Sequence, residues 1–179
     1  MESQGLTGLL EAAAGGDQDA WNTLVERYSR LVWAVARGHR LSQADAADVT
    51  QATWLRLVEH LDGIKEPERL GAWLATTARR EALRHLGRAG RDVPAGDGLD
   101  AGLTPMGPAD AGFLLAERDT LLWKAVDSLG DRCRTLLRVL MADPPPSYEE
   151  VAAALGMPVG SIGPIRGRCL DRLRQLVDP

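Results

Sequence analysis

Ser147-Tyr-Glu-Glu-Val-Ala-Ala-Ala-Leu-Gly-Met-Pro-Val-Gly-Ser-Ile162 carries a helix start, a helix stop and a second start within sixteen residues. A serine followed three positions later by Glu150 is a capping box, in which hydroxyl and carboxylate each satisfy an amide the helix leaves free. Val151, Ala152 and Leu155 turn one face inward, and Gly156 supplies the positive φ that a tight corner needs. A basic helix follows, with Arg166, Arg168, Arg172 and Arg174 against Asp171. Two short helices around a glycine corner have the anatomy of a helix-turn-helix, whose second helix enters a DNA major groove with early residues at base edges and later arginines on phosphates. Packed helix pairs are common, but small residues, a turn and arginines coincide here, which favours DNA.

The same helical spacing runs back along the chain, in Leu24, Tyr28, Leu31, Val35 and in Val49, Thr53, Leu57, Leu61, while alternating strand-type runs are absent. The expected fold class is all-α. Helices are predicted over about 6–14, 18–38, 43–61, 67–88, 111–128, 131–141, 147–155 and 159–177, with Asp17, Ser42, Asp45, Pro67 and Ser147 as start signals. Asp17 and Asp19 read as capping residues, not as a metal pair.

Periodicity stops at about Ala89 and resumes after Asp110; between them Gly90, Pro94, Gly96, Gly98, Gly102, Pro105, Gly107 and Pro108 punctuate the chain. Two small helical domains, 1–88 and 111–179, joined by a flexible acidic linker over 89–110, are the expected organisation. Residues 1–88 hold 11 basic and 12 acidic groups, 89–115 hold 1 and 4, and the rest 9 and 9. Each domain has one basic helix end, at 79–91 and at 161–174, the footprint that phosphate binding requires.

A net charge of −4 excludes a wholesale basic coat. Cys133 and Cys169 are the only cysteines and form no CxxC pair, so they read as small buried apolar residues in a protein of a reducing cytoplasm. No apolar run reaches membrane-spanning length, and Met1–Leu10 lacks a signal peptide's pattern, so a cytoplasmic protein without membrane insertion is expected. There is no phosphate loop, HExxH or GxSxG, and His39, His60 and His85 are scattered. The chain reads as a non-enzyme that needs neither cofactor nor metal.

Trp73, Arg80 and Arg84 fall at helical offsets along one face, with Arg88 one turn further. An aromatic ring beside an arginine stripe suits single-stranded nucleic acid, since an unpaired base stacks on the ring while guanidiniums hold the backbone. A core role for Trp73 alone is as good a reading. Trp21, Trp33, Trp54 and Trp123 are assigned to core packing.

Taken in order, these segments resemble a bacterial sigma factor of the small two-domain extracytoplasmic-function group of the sigma-70 family. Gly16-Asp-Gln-Asp-Ala-Trp21 resembles the start of its first domain (domain 2), and Asp45-Ala-Ala-Asp-Val-Thr-Gln-Ala-Thr-Trp-Leu-Arg56 its polymerase-binding helix. Leu70-Gly-Ala-Trp-Leu-Ala-Thr-Thr-Ala-Arg-Arg-Glu-Ala-Leu-Arg84 resembles the promoter-melting helix, and Ser147–Gly156 the helix-turn-helix of the second (domain 4).

The resemblance implies a protein that binds core RNA polymerase, directs it to promoters in transcription initiation and helps to open the duplex. Its partners would be the clamp helices of the largest polymerase subunit and the beta flap, promoter DNA as duplex at −35 and as single strand at −10, and an anti-sigma factor. Asp48 and Gln51 match the clamp contacts, with Ala52 where the family usually has glutamate. The loop from Ile64 to Leu70, with Ile64 and Lys65 as its implied contacts, matches the segment that captures an everted −10 base, and Trp73, Arg79, Arg80, Arg84 and Arg88 match or extend the strand-binding helix. Arg80 and Arg84 replace the family's common Asn and Asp.

At −35, the implied contacts are Ser161, Pro164, Arg166, Arg168 and Arg172, with Gly163, Pro164 and Gly167 departing from the family pattern. A helix starting at Pro158 would be kinked by Pro164, whereas one starting near Ser161 would take it into its first turn, so a late start or a kink is expected. The acidic linker is expected either to thread a basic polymerase channel or simply to be solvated. The competing readings are a helix-turn-helix transcriptional regulator acting without being a sigma subunit, and a helical protein-binding adaptor.

Overall fold

Side-chain caps fix where the helices begin. The Asp17 carboxylate accepts the Ala20 amide at 2.9 Å, Ser42 accepts that of Asp45 at 3.0 Å, and Ser147 and Glu150 close the capping box at 3.2 and 2.7 Å. The computed structural model describes residues 2–92 and 113–177, with side chains over 5–89 and 120–177. Its helices are α1 (Glu2–Ala14), α2 (Gln18–Gly38), α3 (Gln43–His60), α4 (Leu70–Asp92), α5 (Phe113–Ser128), α6 (Asp131–Leu140), α7 (Tyr148–Leu155) and α8 (Ile162–Val177). Short 3-10 turns at Leu61–Gly63, Pro67–Arg69 and Val159–Ser161 join α3 to α4 and α7 to α8. Gly156 takes the left-handed conformation at φ 62°, and the Met157 amide returns to the Ala152 carbonyl at 3.0 Å, closing α7.

α2 lies at the centre, with α1, α3, α4 and α6 against it. Its buried stripe of Leu24, Tyr28, Leu31, Val32 and Val35 meets Leu57 of α3 and Leu70 and Leu74 of α4. The same cluster continues through Val126, Leu136, Val139, Val151 and Ile162, so both halves of the chain share one apolar core. Each such side chain fully removed from water contributes about 1.5–3 kcal/mol, which makes the shared core the main force holding the halves together. A small satellite of Ala36, Leu41, Ala46, Val49 and Ala82 joins the end of α2 to α3 and α4.

α7 lies along α4, and α6 along α2. Close approach at the first of these pairs depends on Gly71, where a Cβ would overlap the Glu150 carboxylate of the α7 cap. At the second, Thr135 Oγ1 donates to the Gly38 carbonyl at 2.8 Å, and Arg134 Nε and Nη2 reach the same oxygen at 3.3 and 3.2 Å. A carbonyl left free at the end of α2 is thereby satisfied from the other half of the chain.

The all-α expectation holds, and the helix ranges agree to within a few residues. α4 starts at Leu70 rather than 67 because Pro67–Arg69 closes as a 3-10 turn, and it runs on to Asp92, so the expected linker loses its first four residues to helix. The rest of the 89–110 segment lies outside the described residues. α8 starts late, at Ile162, which puts Pro164 in its first turn, where a missing amide costs nothing.

One side-chain expectation is corrected and another is extended. Cys133 and Cys169 are joined in a disulfide between α6 and α8 rather than lying as separate apolar residues. Trp21, Trp33 and Trp54 are half-buried and line an open groove as well as touching the core. Trp123 does pack against the core, with the Arg138 guanidinium 4.8 Å from its ring centroid.

Candidate functional site

The outer face of α3 follows from its own periodicity. Val49, Thr53 and Leu57 turn inward, which leaves Asp48, Gln51, Leu55 and Val58 in solvent. Leu55 and Val58 are 58% and 53% exposed, and with Trp21, Trp33 and Trp54 they line a shallow groove of about 370 Å³. Trp21 and Trp54 meet edge to face, with centroids 6.1 Å apart, which fixes the groove floor. Gln51 lies on its rim, and Asp48 faces the seam with α4, where Arg84, His85 and Arg88 also lie. Contiguous apolar surface with a polar edge is the form of a protein-docking site.

A second cleft, of about 530 Å³, opens between the Gly63–Glu66 loop and the first turns of α4. It brings together Ile64, Lys65, Trp73, Thr76 and Arg80, five residues from two segments. His60 tilts against the Trp73 ring at 6.0 Å, leaving the indole half-buried at the cleft wall. A flat ring, an apolar loop residue and two cations in one recess can stack a base and hold its phosphates.

The arginines expected on α4 divide. Arg80 joins the cleft, while Arg84 pairs with Glu81 at 2.7 Å and lies with Arg88 on the α3 seam. Glu81 is shared with Arg56 at 3.4 Å, and the carboxylates of Glu59 and Glu81 hold the Arg56 guanidinium above its usual range. Arg79 turns the other way, under the α7–α8 corner, with its Cζ 2.6 Å from where a Gly156 Cβ would stand.

The second half of the chain walls this cleft. Glu149 and Ala153 of α7 line it, and Glu149 accepts from Arg69 Nε at 2.9 Å. Hydrogen bonds that Arg69 donates to the Glu66 and Glu149 carboxylates hold its guanidinium pKa above the usual range. A carboxylate at the mouth opposes entry of a phosphate chain.

On α8, Ile162 and Cys169 are buried, and Ile165 and Leu173 are half-buried. Ser161 is half-buried in the preceding 3-10 turn, and Pro164 is exposed. Gly163 and Gly167 leave open space around themselves, so that face of the helix is bare backbone. Arg166 leans toward Tyr148, its Nη1 3.4 Å from the phenol oxygen, whereas Arg168 and Arg172 line a groove between α6 and α8. The basic set thus flanks the bare face on two sides. No group of His, Cys, Asp and Glu suited to a metal occurs among the described residues, and no described helix is long and apolar enough to cross a membrane.

Assigning Trp21, Trp33 and Trp54 to core packing alone leaves out the docking groove on α3 that their other sides line. The available signal was that Trp54, Leu55 and Val58 fall outside the Val49–Thr53–Leu57 stripe, so one helix could not bury them all. Glu149 and Gly71, which set how α7 meets the cleft, had no signal, since their contacts span about half of the chain.

The family model Sigma-70 region 2 matches residues 24–92. The ECF RNA polymerase sigma-E factor of Escherichia coli (strain K12) is 28% identical over 180 residues, covering 95% of this chain and 91% of that protein. The ECF RNA polymerase sigma factor BldN of Streptomyces coelicolor is 30% identical over 175 residues, covering 94% of this chain and 64% of that protein. Among solved structures, the sigma factor RpoE in complex with the anti-sigma factor NepR from Bartonella quintana superposes with a TM-score of 0.66 at 25% identity, over 88% of this chain and 96% of that one. CnrH in complex with the cytosolic domain of CnrY shares the fold, with a TM-score of 0.63 at 24% identity over 95% of each chain.

Proposed function

The chain belongs to the extracytoplasmic-function group of sigma factors, and from that membership we propose how its surfaces divide the work of an RNA polymerase sigma factor. Residues 1–88 form the module that binds core polymerase and the −10 element, and 111–179 the module for the −35 element and the beta flap. The α3 groove takes the clamp helices of the largest polymerase subunit: Trp54, Leu55 and Val58 supply the apolar contact, Asp48 and Gln51 the polar edge. The observation that carries this reading is the exposed apolar face of α3 beside a cleft that pairs Trp73 with Lys65 and Arg80.

In the cleft, Ile64 and Trp73 hold an everted base of the −10 strand, and Lys65 and Arg80 neutralise its phosphates. Arg84 and Arg88 extend the cationic track along α4, and Arg79 joins it once α7 withdraws. Strand binding therefore requires α7, with Glu149, to leave α4. On α8, Pro164, Gly163 and Gly167 let the helix approach the duplex closely, Ser161 and Arg166 face base edges, and Arg168 and Arg172 hold phosphates. The chain performs no covalent chemistry itself and acts in the cytoplasm. Because RpoE of Bartonella quintana is solved with an anti-sigma factor, a partner of that kind is proposed here too. A regulator acting without polymerase would leave the α3 groove without a role.

The test is association of purified protein with core RNA polymerase, with Leu55→Glu and Asp48→Arg as separate variants. Both residues are exposed, so the fold should persist, with thermal midpoints unchanged. Each variant is expected to weaken association by tenfold or more. Wild-type affinity in both would remove the groove from the polymerase interface.

A further inference from the structure

The disulfide between Cys133 and Cys169 ties α6 to the helix that would read the −35 duplex, and it uses both cysteines of the chain. Among the described residues α8 buries only Ile162 and Cys169 fully, while Leu170, Leu176 and Val177 are exposed. Cys169 is therefore one of two fully buried anchors of α8, with Ile165 and Leu173 half-buried against the core beside it. The pair lies in an open groove of about 670 Å³ between α6 and α8, lined also by Arg132, Arg168 and Arg172. Two carboxylates share that groove, but Asp131 is held by Arg40 at 2.8 Å and Arg134 at 3.0 Å, and Asp171 by Arg174 at 3.0 Å. The three groove arginines have no carboxylate partner among the described residues. Cys133 is the more accessible residue of the pair, being half-buried, and Cys169 is fully buried.

A thiol that is partly exposed and faces unpaired guanidiniums is in the setting that favours thiolate and oxidation. We propose that Cys133 and Cys169 are a peroxide-sensitive dithiol whose disulfide clamps α8, so that oxidation raises the affinity of this chain for duplex promoter DNA. The clamp's consequence rests on the −35 role given to α8 above; the dithiol chemistry does not.

The chemistry balances with a hydroperoxide as oxidant. The Cys133 thiolate attacks one peroxide oxygen, the O–O bond breaks, and a sulfenic acid forms as the other oxygen leaves, protonated, as water or an alcohol. The Cys169 thiol then displaces the sulfenic oxygen as a second water and closes the S–S bond. Two thiols and one peroxide give one disulfide, water and an alcohol or second water, with two electrons passed to the peroxide. With the bond reduced, α8 keeps Ile162 at its start but loses its mid-helix tether.

The experiment takes the full chain, reduced and desalted, with one equivalent of hydrogen peroxide. Free thiols are counted by maleimide mass shift under denaturing conditions. Thermal midpoints are compared, and transcript yield from fragmented genomic DNA is measured with core RNA polymerase. Expected are loss of both thiols within single chains, a midpoint higher by on the order of 10 °C in the oxidised form, and at least threefold more transcript. Cys133→Ser and Cys169→Ser should stay at the reduced level with peroxide. Two thiols surviving peroxide, or cross-links only between chains, would overturn the dithiol. Intrachain closure with equal transcript from both forms would overturn the clamp. Absence of transcript from both forms alongside normal closure would tell against the sigma reading, while supporting the dithiol.

Discussion

Replacing Arg134 by methionine measures how firmly the two halves of the chain are joined. The Arg134 side chain is 4% exposed and its guanidinium meets the Gly38 carbonyl through two nitrogens at 3.2 and 3.3 Å. Both are long, so the fork counts as one charge-assisted hydrogen bond, worth about 1.5–3 kcal/mol. Its pairing with Asp131, whose carboxylate is 77% exposed, adds under about 1 kcal/mol after screening. Against this, Nη1 has no partner, and burial lowers the Arg134 pKa, so removing the desolvated cation recovers about 1 kcal/mol. Gly38 is not orphaned, because Thr135 Oγ1 still donates at 2.8 Å. Methionine keeps the apolar stem, so the net loss is about 2 kcal/mol.

For a chain of this length, that is a fall in thermal midpoint of about 4–8 °C. Since the Gly38 contact bridges the halves, the same free energy shifts the balance between closed and open arrangements roughly thirtyfold toward open. Differential scanning calorimetry reads the first effect, and the radius of gyration from small-angle scattering reads the second. A midpoint within 1 °C of wild type and an unchanged radius would refute the view that the α2–α6 contact holds the closed arrangement.

Gly156→Ala forces a Cβ into a position at φ 62° and within 2.6 Å of the Arg79 guanidinium, so it should lower stability by about 1–2 kcal/mol in chemical denaturation. His39 has a pKa below the ordinary 6.5, because burial and then Arg79 and Arg134 disfavour its cation, and its Nε2 has no partner. The unfolded chain therefore binds the proton first: stability from this group is complete above about pH 6.5 and falls as pH drops below it, by up to about 1.4 kcal/mol per unit. Thermal melts at pH 7.5 and 5.5 should show the fall, and His39→Asn should remove that part of it. Trp73→Ala with Arg80→Ala should cut affinity for a single-stranded −10 oligonucleotide, in the polymerase complex, by tenfold or more, leaving polymerase association unchanged in a pull-down.

Local signals carried the fold. Ser147, Glu150 and Gly156 act within one turn of their partners, so the capping box and the left-handed corner were legible from residue type and spacing alone. Pro164 fell into the first turn of α8 because a proline that deletes no hydrogen bond is tolerated only there. The first-domain cleft was half legible: Trp73 and Arg80 share one helical face, but Glu149 joins the wall from 80 residues beyond Arg69. Trp21, Trp33 and Trp54 pack against the core as their spacing suggests, but an aromatic side chain large enough to touch the core can present its other side to solvent, and that side lines the groove. The Cys133–Cys169 link was hidden for a different reason: 36 residues separate the partners, and only the packing of α8 against α6 brings their Cα atoms to 5.3 Å.

The central claim is tested most directly by run-off transcription from fragmented genomic DNA of the source bacterium, using core RNA polymerase with and without the protein, beside an Asp48→Arg, Gln51→Ala variant. Discrete new start sites that require the wild-type chain and disappear with the variant are the predicted result. No new start sites, from a folded protein that fails to bind core polymerase, would contradict the assignment of these surfaces.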